Sequence, residues 1–366
     1  ENVAFEQARG YAREIVPSFS AGAYFGFATR LAKWLSLALY HVRLGHSDEA
    51  AFREVDREAT VVFVMNHRSN MDYVLVTWLA AEHSALSYAV GEWAQIWPLS
   101  RLIRATGAFF IRRRPRDNLY RRVLARYVGL ATDGGVTQAV FPEGGLSLDG
   151  GLARPRLGLL KYIVEERSDR GRDVVFVPVA LNYDRVFEDR VLMAAAQSGR
   201  RRFPARMSVV ARFVLRQLWL WLTRRYRRHG HAAASFGTPI SLNAFEADHP
   251  GATVKDLGAR LMQRIGAEVP VLPVPAVAHV LVNAGAPVTR AALERGVADL
   301  LARLPDTHVQ LPGDGAADIV AAGLDNLRAR GVVVETVEGI AVAEQERPLV
   351  AYYARSIAHL FQGQAG

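Results

Sequence analysis

From Thr60 onward, short apolar runs alternate with stretches of helical periodicity. TVVFVM (Thr60–Met65), ALSYAVGE (Ala85–Glu92), GAFFIRRR (Gly107–Arg114), VTQAVFPEGG (Val136–Gly145) and DVVFVPVALNY (Asp173–Tyr183) have the length and β-branched content of buried strands. AAASFGTPISL (Ala232–Leu242) reads as a sixth. Between them, MDYVLVTWLAAE (Met71–Glu82), WAQIWPLSRLIRAT (Trp93–Thr106), DNLYRRVLARYVGLATDG (Asp117–Gly134) and LLKYIVEERSDRG (Leu159–Gly171) carry helical spacing. Asp117 or Asn118 is the expected N-cap of the third, and Gly171 the expected stop of the fourth. Strand and helix alternating over residues 60 to about 240 predict an α/β domain with a mostly parallel sheet flanked by helices.

The flanks differ. The first fifty or so residues read as amphipathic helices, with Gly45-His46-Ser47 breaking the pattern. Beyond the α/β pattern, EVPVLPVPAVAHVLVNAGAPVT (Glu268–Thr289) is rich in Pro and Ala, and several amphipathic helices follow. One β-like run, GVVVETVEGIAVAE (Gly331–Glu344), interrupts them. The expected organisation is an N-terminal helical, membrane-proximal region (1–58), an α/β domain (59–245) and a mainly helical C-terminal region with a short β-element (246–366). The chain opens on Glu1 rather than Met, so a preceding segment is expected.

Charge narrows the partners. Lys and Arg total 45 against 36 Asp and Glu, a formal net charge of +9. Such a field favours anionic lipid, phosphorylated substrates or nucleic acid, and most of the basic residues are arginine, which suits phosphate. There is no cysteine, which excludes disulfides, thiolate metal sites and cysteine nucleophiles. No stretch supplies about 20 apolar residues free of charge, the length a spanning helix needs. AGAYFGFATRLAKWLSLALYHV (Ala21–Val42) and MSVVARFVLRQLWLWLTRRYRRHGH (Met207–His231) instead mix aromatics, leucines and arginines, as in helices lying in a membrane interface. The same periodicity also fits helices packed on a globular core. The basic charge fits, more distantly, a nucleic-acid-binding protein with a winged-helix-like C-terminal module. Against that, clusters such as RRYRRHGH (Arg224–His231) are preceded by tryptophan and leucine and lie outside the C-terminal segment.

The candidate chemistry sits where core strands end. NHRSNMD (Asn66–Asp72) follows the first core strand, at the end where open α/β sheets bind ligands. A histidine there suits proton abstraction from a hydroxyl, and a carboxylate on its far nitrogen would fix its tautomer. On spacing alone, a capping aspartate beside a solvated histidine fits as well. GAFFIRRRPR (Gly107–Arg116) ends in an arginine burst, either a phosphate fork or a solvated basic loop. AVFPEGGLSLDG (Ala139–Gly150) brings Glu143, Gly144 and Ser147 into a tight loop. Pro178, inside an apolar strand, implies an edge, a bulge or a bend.

In that order, these blocks resemble the glycerolipid acyltransferases, most closely the bacterial membrane-bound glycerol-3-phosphate acyltransferases. His67 and Asp72 match the first block, H-x-x-x-x-D; Gly107–Arg112 match the second, G-x-F-F-I-R. Phe141, Glu143 and Gly144 match the third, and Val177-Pro178 the fourth. SFGTPISL (Ser235–Leu242) and LVAYYARSIAHLF (Leu349–Phe361) resemble the segment that closes the domain and the tail of the glycerol-3-phosphate branch. The resemblance implies that His67, oriented by Asp72, deprotonates the sn-1 hydroxyl of glycerol 3-phosphate. The alkoxide would attack the thioester of acyl-CoA or acyl-carrier protein, giving lysophosphatidate, with no metal or cofactor. Arg112, with Arg113 or Arg114, would hold the acceptor phosphate, and Glu143 the glycerol; Gly144, Ser147, Arg156 and Pro178 complete the candidate substrate-binding set. It further implies peripheral or monotopic association with phospholipid at the cytoplasmic face of the bacterial cell membrane. The chain departs from the third block, where Leu146 and Leu148 replace basic-block positions and Arg156 is the next cation in register. An acyltransferase of the same fold acting on lysophosphatidate or another lipid alcohol is the alternative.

Overall fold

The computed structural model describes residues 2–81, 86–91, 104–112, 117–168, 171–198, 228–305 and 315–362. Most of the helical reading of Trp93–Thr106, the arginines Arg113 and Arg114, and most of Met207–His231 fall outside them.

Among the described residues, eight strands form one sheet: β1 (His41–Ser47), β2 (Thr60–Met65), β3 (Ser87–Gly91), β4 (Phe109–Ile111), β5 (Gln138–Val140), β6 (Val174–Tyr183), β7 (His231–Phe236) and β8 (Ile240–Ser241). The spatial order is β1-β7-β6-β2-β5-β3-β4, with β8 also pairing β6. Strands β2 to β6 are mutually parallel, while β7 and β8 run antiparallel to β6. Every residue of β6 is buried, and β2 is buried at all but one position, because helices cover both faces. Their register runs from Thr60 opposite Val174 to Met65 opposite Val179. The carboxyl end of β2 therefore opens beside the midpoint of the longer β6.

Three sequence expectations change. The N-terminal fifty residues are not all helical: after helices Asn2–Ile15 and Thr29–Leu39, His41–Ser47 forms the edge strand β1, parallel to β7. The strand continues through Gly45, but its register with β7 shifts between Leu44 and Ser47. The β7 backbone and Ser235 lie so close that a Cβ at Gly45 would sit 2.0 Å from Ser235 Oγ. The long-range pairing decides the conformation, and local periodicity does not report it. Likewise, helix Gly158–Glu165 stops at Glu166, whose N–H caps onto Tyr162, well before Gly171. The run Ala232–Leu242 divides into β7 and β8. Pro178 lies where β6 passes from β8, paired at Val175 and Phe176, to β7, paired from Val179. Its carbonyl accepts from Gly237 N at 2.8 Å, and its missing N–H falls on the same transition edge.

The C-terminal helices gather around Pro273–Ala284, which is buried from Pro273 through Ala278 and packs against Arg290–Ala302, Ala316–Ala329 and Arg347–Ala358. The β-like run becomes a hairpin of β9 (Val333–Thr336) and β10 (Gly339–Val342). One apolar core runs from Ile15 through β2 and β6 to Ile357, so these helices share the sheet's core.

At the head of β7, His229 is buried against Tyr40 and Phe187 and donates its backbone N–H to Leu39 O at 2.7 Å. Burial, with Arg185 and Arg330 nearby, lowers its ring from 6.5 to about 4. The folded state thus resists protonation that the unfolded chain accepts. Stability from this group is full above about pH 6.5 and is lost as pH falls towards 4, on the order of 3 kcal/mol. Urea unfolding at pH 7.5 and 4.5 checks this: His229→Gln is expected to flatten the difference between the two pH values relative to the unaltered chain.

Candidate active site

The loop after β2 is organised around one carboxylate. Asp72 lies in the first turn of helix Met71–Leu79 and is fully buried. Its Oδ2 accepts from Arg68 N at 2.7 Å and Ser69 N at 3.0 Å, and contacts His67 Nδ1 at 2.9 Å. Its Oδ1 accepts from Tyr183 Oη, at the end of β6, at 2.7 Å. Because a carboxylate oxygen can only accept, the His67 contact is completed by an Nδ1–H, which in the neutral ring leaves the lone pair on Nε2. The helix N-terminus adds its favourable field. Burial, then Asp72, pushes the Tyr183 hydroxyl well above its usual range, so it remains a donor.

His67 keeps 5% side-chain exposure and stacks on Phe141 with centroids 4.1 Å apart. Tyr73 meets the ring edge-on at 5.4 Å. On the other flank of the loop, Glu188 accepts from Ser69 Oγ, Asn70 N and Asn70 Nδ2. Asn66 clamps the strand end to β6 through reciprocal bonds with the Leu181 backbone at 2.8 and 2.9 Å. The imidazole is thus fixed in position, orientation and tautomer.

The remaining candidates are placed as follows. Glu143 is buried and spans two backbones: Oε1 accepts from His67 N at 2.9 Å and Oε2 from Ala153 N at 2.8 Å. Burial raises its carboxyl above the ordinary value, while those two donors pull it back. It ties the third-block loop to His67. Ser147 N donates to His67 O at 2.9 Å, and its hydroxyl closes the turn onto Gly151 O at 2.7 Å. Gly144 has φ +66°, and a Cβ there would meet Arg156 Cδ at 2.7 Å, so Arg156 lies across this glycine. Arg154 and Arg156 are exposed and make no ion pair within the described residues. Leu146 and Leu148 pack onto the hydrophobic core. Arg112 follows β4, three strands from β2 in the sheet, and is bound bidentately to Glu14, through Nε at 2.9 Å and Nη2 at 2.6 Å.

Sequence reasoning missed the support. Arg68, inside NHRSNMD, is buried; its guanidinium donates to Gly150 O and stacks over Tyr352 at 5.4 Å. It joins the His67 loop to the third-block loop and to helix Arg347–Ala358. Tyr353, the next residue, takes a bond from Val186 N at 3.0 Å and donates to Asp189 at 2.6 Å. Tyr183 carried one faint signal, a hydroxyl ending an otherwise apolar strand. Arg68 and Tyr352 carried none, because their partners are far away in sequence.

The arrangement is a buried carboxylate, an oriented imidazole with a bare Nε2, and exposed arginine nearby. The family model described as Acyltransferase matches residues 49–182. The model described as Glycerol-3-phosphate acyltransferase C-terminal region matches residues 217–365. A glycerol-3-phosphate acyltransferase of Aeromonas hydrophila is 27% identical over 97% of this chain and 46% of its own length. That of Alteromonas mediterranea is 28% identical over 66% of this chain and 29% of its own. The chain therefore spans less than half the length of these relatives. Among solved structures, a 1-acyl-sn-glycerophosphate (LPA) acyltransferase from Thermotoga maritima aligns with a TM-score of 0.40 and 17% identity, covering 77% of this chain and 79% of that one.

The Arg68 junction is sterically demanding. Gly150 has φ +88°, and a Cβ on it would lie 1.8 Å from Tyr352 O. Gly150→Ala is expected to lower the urea unfolding free energy by about 3 kcal/mol and to reduce turnover by loosening the His67 loop. Gly151→Ala, where a Cβ would meet nothing closer than 3.7 Å, is expected to leave both near wild type.

Proposed function

We propose, from the likeness of the chain to the glycerol-3-phosphate acyltransferases, that it belongs to that family and that its His67 site transfers a fatty acyl group from a thioester donor to the sn-1 hydroxyl of glycerol 3-phosphate. The observation that carries this reading is the 2.9 Å contact of His67 Nδ1 with buried Asp72, at the carboxyl end of a parallel core strand. His67 Nε2 takes the hydroxyl proton as the oxygen attacks the thioester carbonyl. The new C–O bond forms, the C–S bond breaks, and the proton passes from imidazolium to the departing thiolate. Asp72 stabilises the imidazolium between these steps. Acyl-CoA and acyl-carrier protein both present such a thioester.

The acceptor phosphate calls for cations. Arg112 is the second-block candidate, and Arg156, lying over Gly144, supplies charge where Leu146 has turned into the core. That turn favours a second reading, in which a lysophospholipid or another lipid alcohol is the acceptor, since a less charged loop tolerates a more apolar substrate.

We place the enzyme at the cytoplasmic face of a bacterial membrane, in peripheral or monotopic association. No helix of the described residues is long and apolar enough to cross a membrane. The N-terminal segment nonetheless exposes Phe5, Phe19, Phe25, Phe27 and Trp34, with Arg30 and Lys33 alongside. Apolar and aromatic side chains interleaved with cations suit an interfacial surface.

The test is acylation by the purified full chain in detergent, with palmitoyl-CoA as donor and glycerol 3-phosphate or lysophosphatidate as acceptor. Lysophosphatidate from glycerol 3-phosphate is expected. His67→Ala is expected to lower kcat by about 10²–10⁴-fold, with Asp72→Asn nearly as damaging. Full turnover by His67→Ala would remove the base, and acylation of lysophosphatidate alone would favour the second reading.

A further inference from the structure

Arg112 is not an open anion site in this structure. Glu14, at the end of helix Asn2–Ile15, grips its Nε and Nη2 edge with both carboxylate oxygens, at 2.9 and 2.6 Å. The guanidinium also lies over the rings of Tyr11 and Tyr120, at 5.2 and 5.1 Å. This is a fork-to-fork pairing of the kind a phosphate makes with arginine.

The helix that carries Glu14 is fastened in place. Arg104 donates to the carbonyls of Arg13 and Glu14 at 2.9 and 2.7 Å, holding the last turn. Tyr11 donates its hydroxyl to Asp117 at 2.5 Å, one turn further back. The contacts come from both sides of Arg112 in sequence, so the carboxylate is delivered by built structure. Yet the pair stays accessible, with 40% of the Arg112 side chain and 23% of the Glu14 side chain exposed. A solvent-borne anion can therefore reach it.

We infer that Glu14 is an internal competitor for the acceptor's phosphate at Arg112, and so sets the affinity of the site for its anionic substrate. The inference rests on the reading that Arg112 holds an acceptor phosphate. A phosphate on the Nε–Nη2 edge must displace the Glu14 carboxylate. A phosphate on the remaining Nη edge must sit beside it, and like charges at such range repel. On either path, Glu14 weakens anion binding. A residue that merely positioned Arg112 would strengthen it.

The sign separates the two roles. Titration calorimetry of the full chain in detergent micelles, with glycerol 3-phosphate and separately with inorganic phosphate, reads it directly. Glu14→Gln, and Glu14→Ala as a second variant, are expected to tighten both about three- to tenfold. Arg112→Gln is expected to weaken both, and adding Glu14→Gln to it should change nothing further. Unchanged or weaker binding in both Glu14 variants overturns the inference. Parallel acylation assays keep the two readings apart. If binding follows the expected pattern but no form of the chain acylates glycerol 3-phosphate, the competitor role stands and the acceptor assignment falls. If acylation proceeds while the Glu14 variants bind no tighter, the reverse holds.

Discussion

The buried carboxylate of Asp72 is the constraint on which the rest depends. Four donors converge on it: two loop amides, one tyrosine hydroxyl and one imidazole. Each such bond to a charged acceptor contributes about 1.5–3 kcal/mol, and none can be replaced by water in a site with no exposure. The carboxylate therefore dictates the path of residues 67–69, the packing of Tyr183 against the loop, and the tautomer of His67. The proposed chemistry and the local fold share one group.

Around that centre, the His67 loop is held by elements from the whole chain. Glu143 bridges it to the third-block loop, Glu188 to the segment after β6, and Arg68 to Gly150 and the Tyr352 ring. The C-terminal helices consequently act as a buttress for the site, consistent with their sharing the sheet's core. The N-terminal helix acts at the opposite edge, through Glu14 and Arg112. Glu143 illustrates how a carboxylate that looks substrate-facing in sequence can be taken up by backbone: both oxygens are occupied by amides.

Much of this was legible in the sequence, for definite reasons. Strands β2 and β6 read correctly because both faces are covered and their apolar runs are uninterrupted. The helix beginning at Asn118 announced itself through Asp117, which does accept from Leu119 N. The pairing of His67 with Asp72 was left open by spacing and implied only by the family resemblance; in the fold, the helix start at Met71 brings the two together. Strand β1 was illegible, since the alternation of Val42 and Leu44 in HVRLGHS is too short to stand out and the strand exists by pairing with β7, far along the chain. The same distance hid Tyr183 from Asp72 and Tyr352 from Arg68. It also hid Glu14 from Arg112, which made an arginine that reads as free in the sequence an engaged one in the fold.

Asp72 is expected to hold His67 as the Nδ1–H tautomer, with Nε2 bare. Long-range proton–nitrogen correlation NMR on histidine-labelled protein at neutral pH, with His67→Ala to assign the ring, observes this without substrate or turnover. A protonated Nδ1 and an unprotonated Nε2 are expected for His67. A ring protonated at Nε2 with a bare Nδ1 would contradict this.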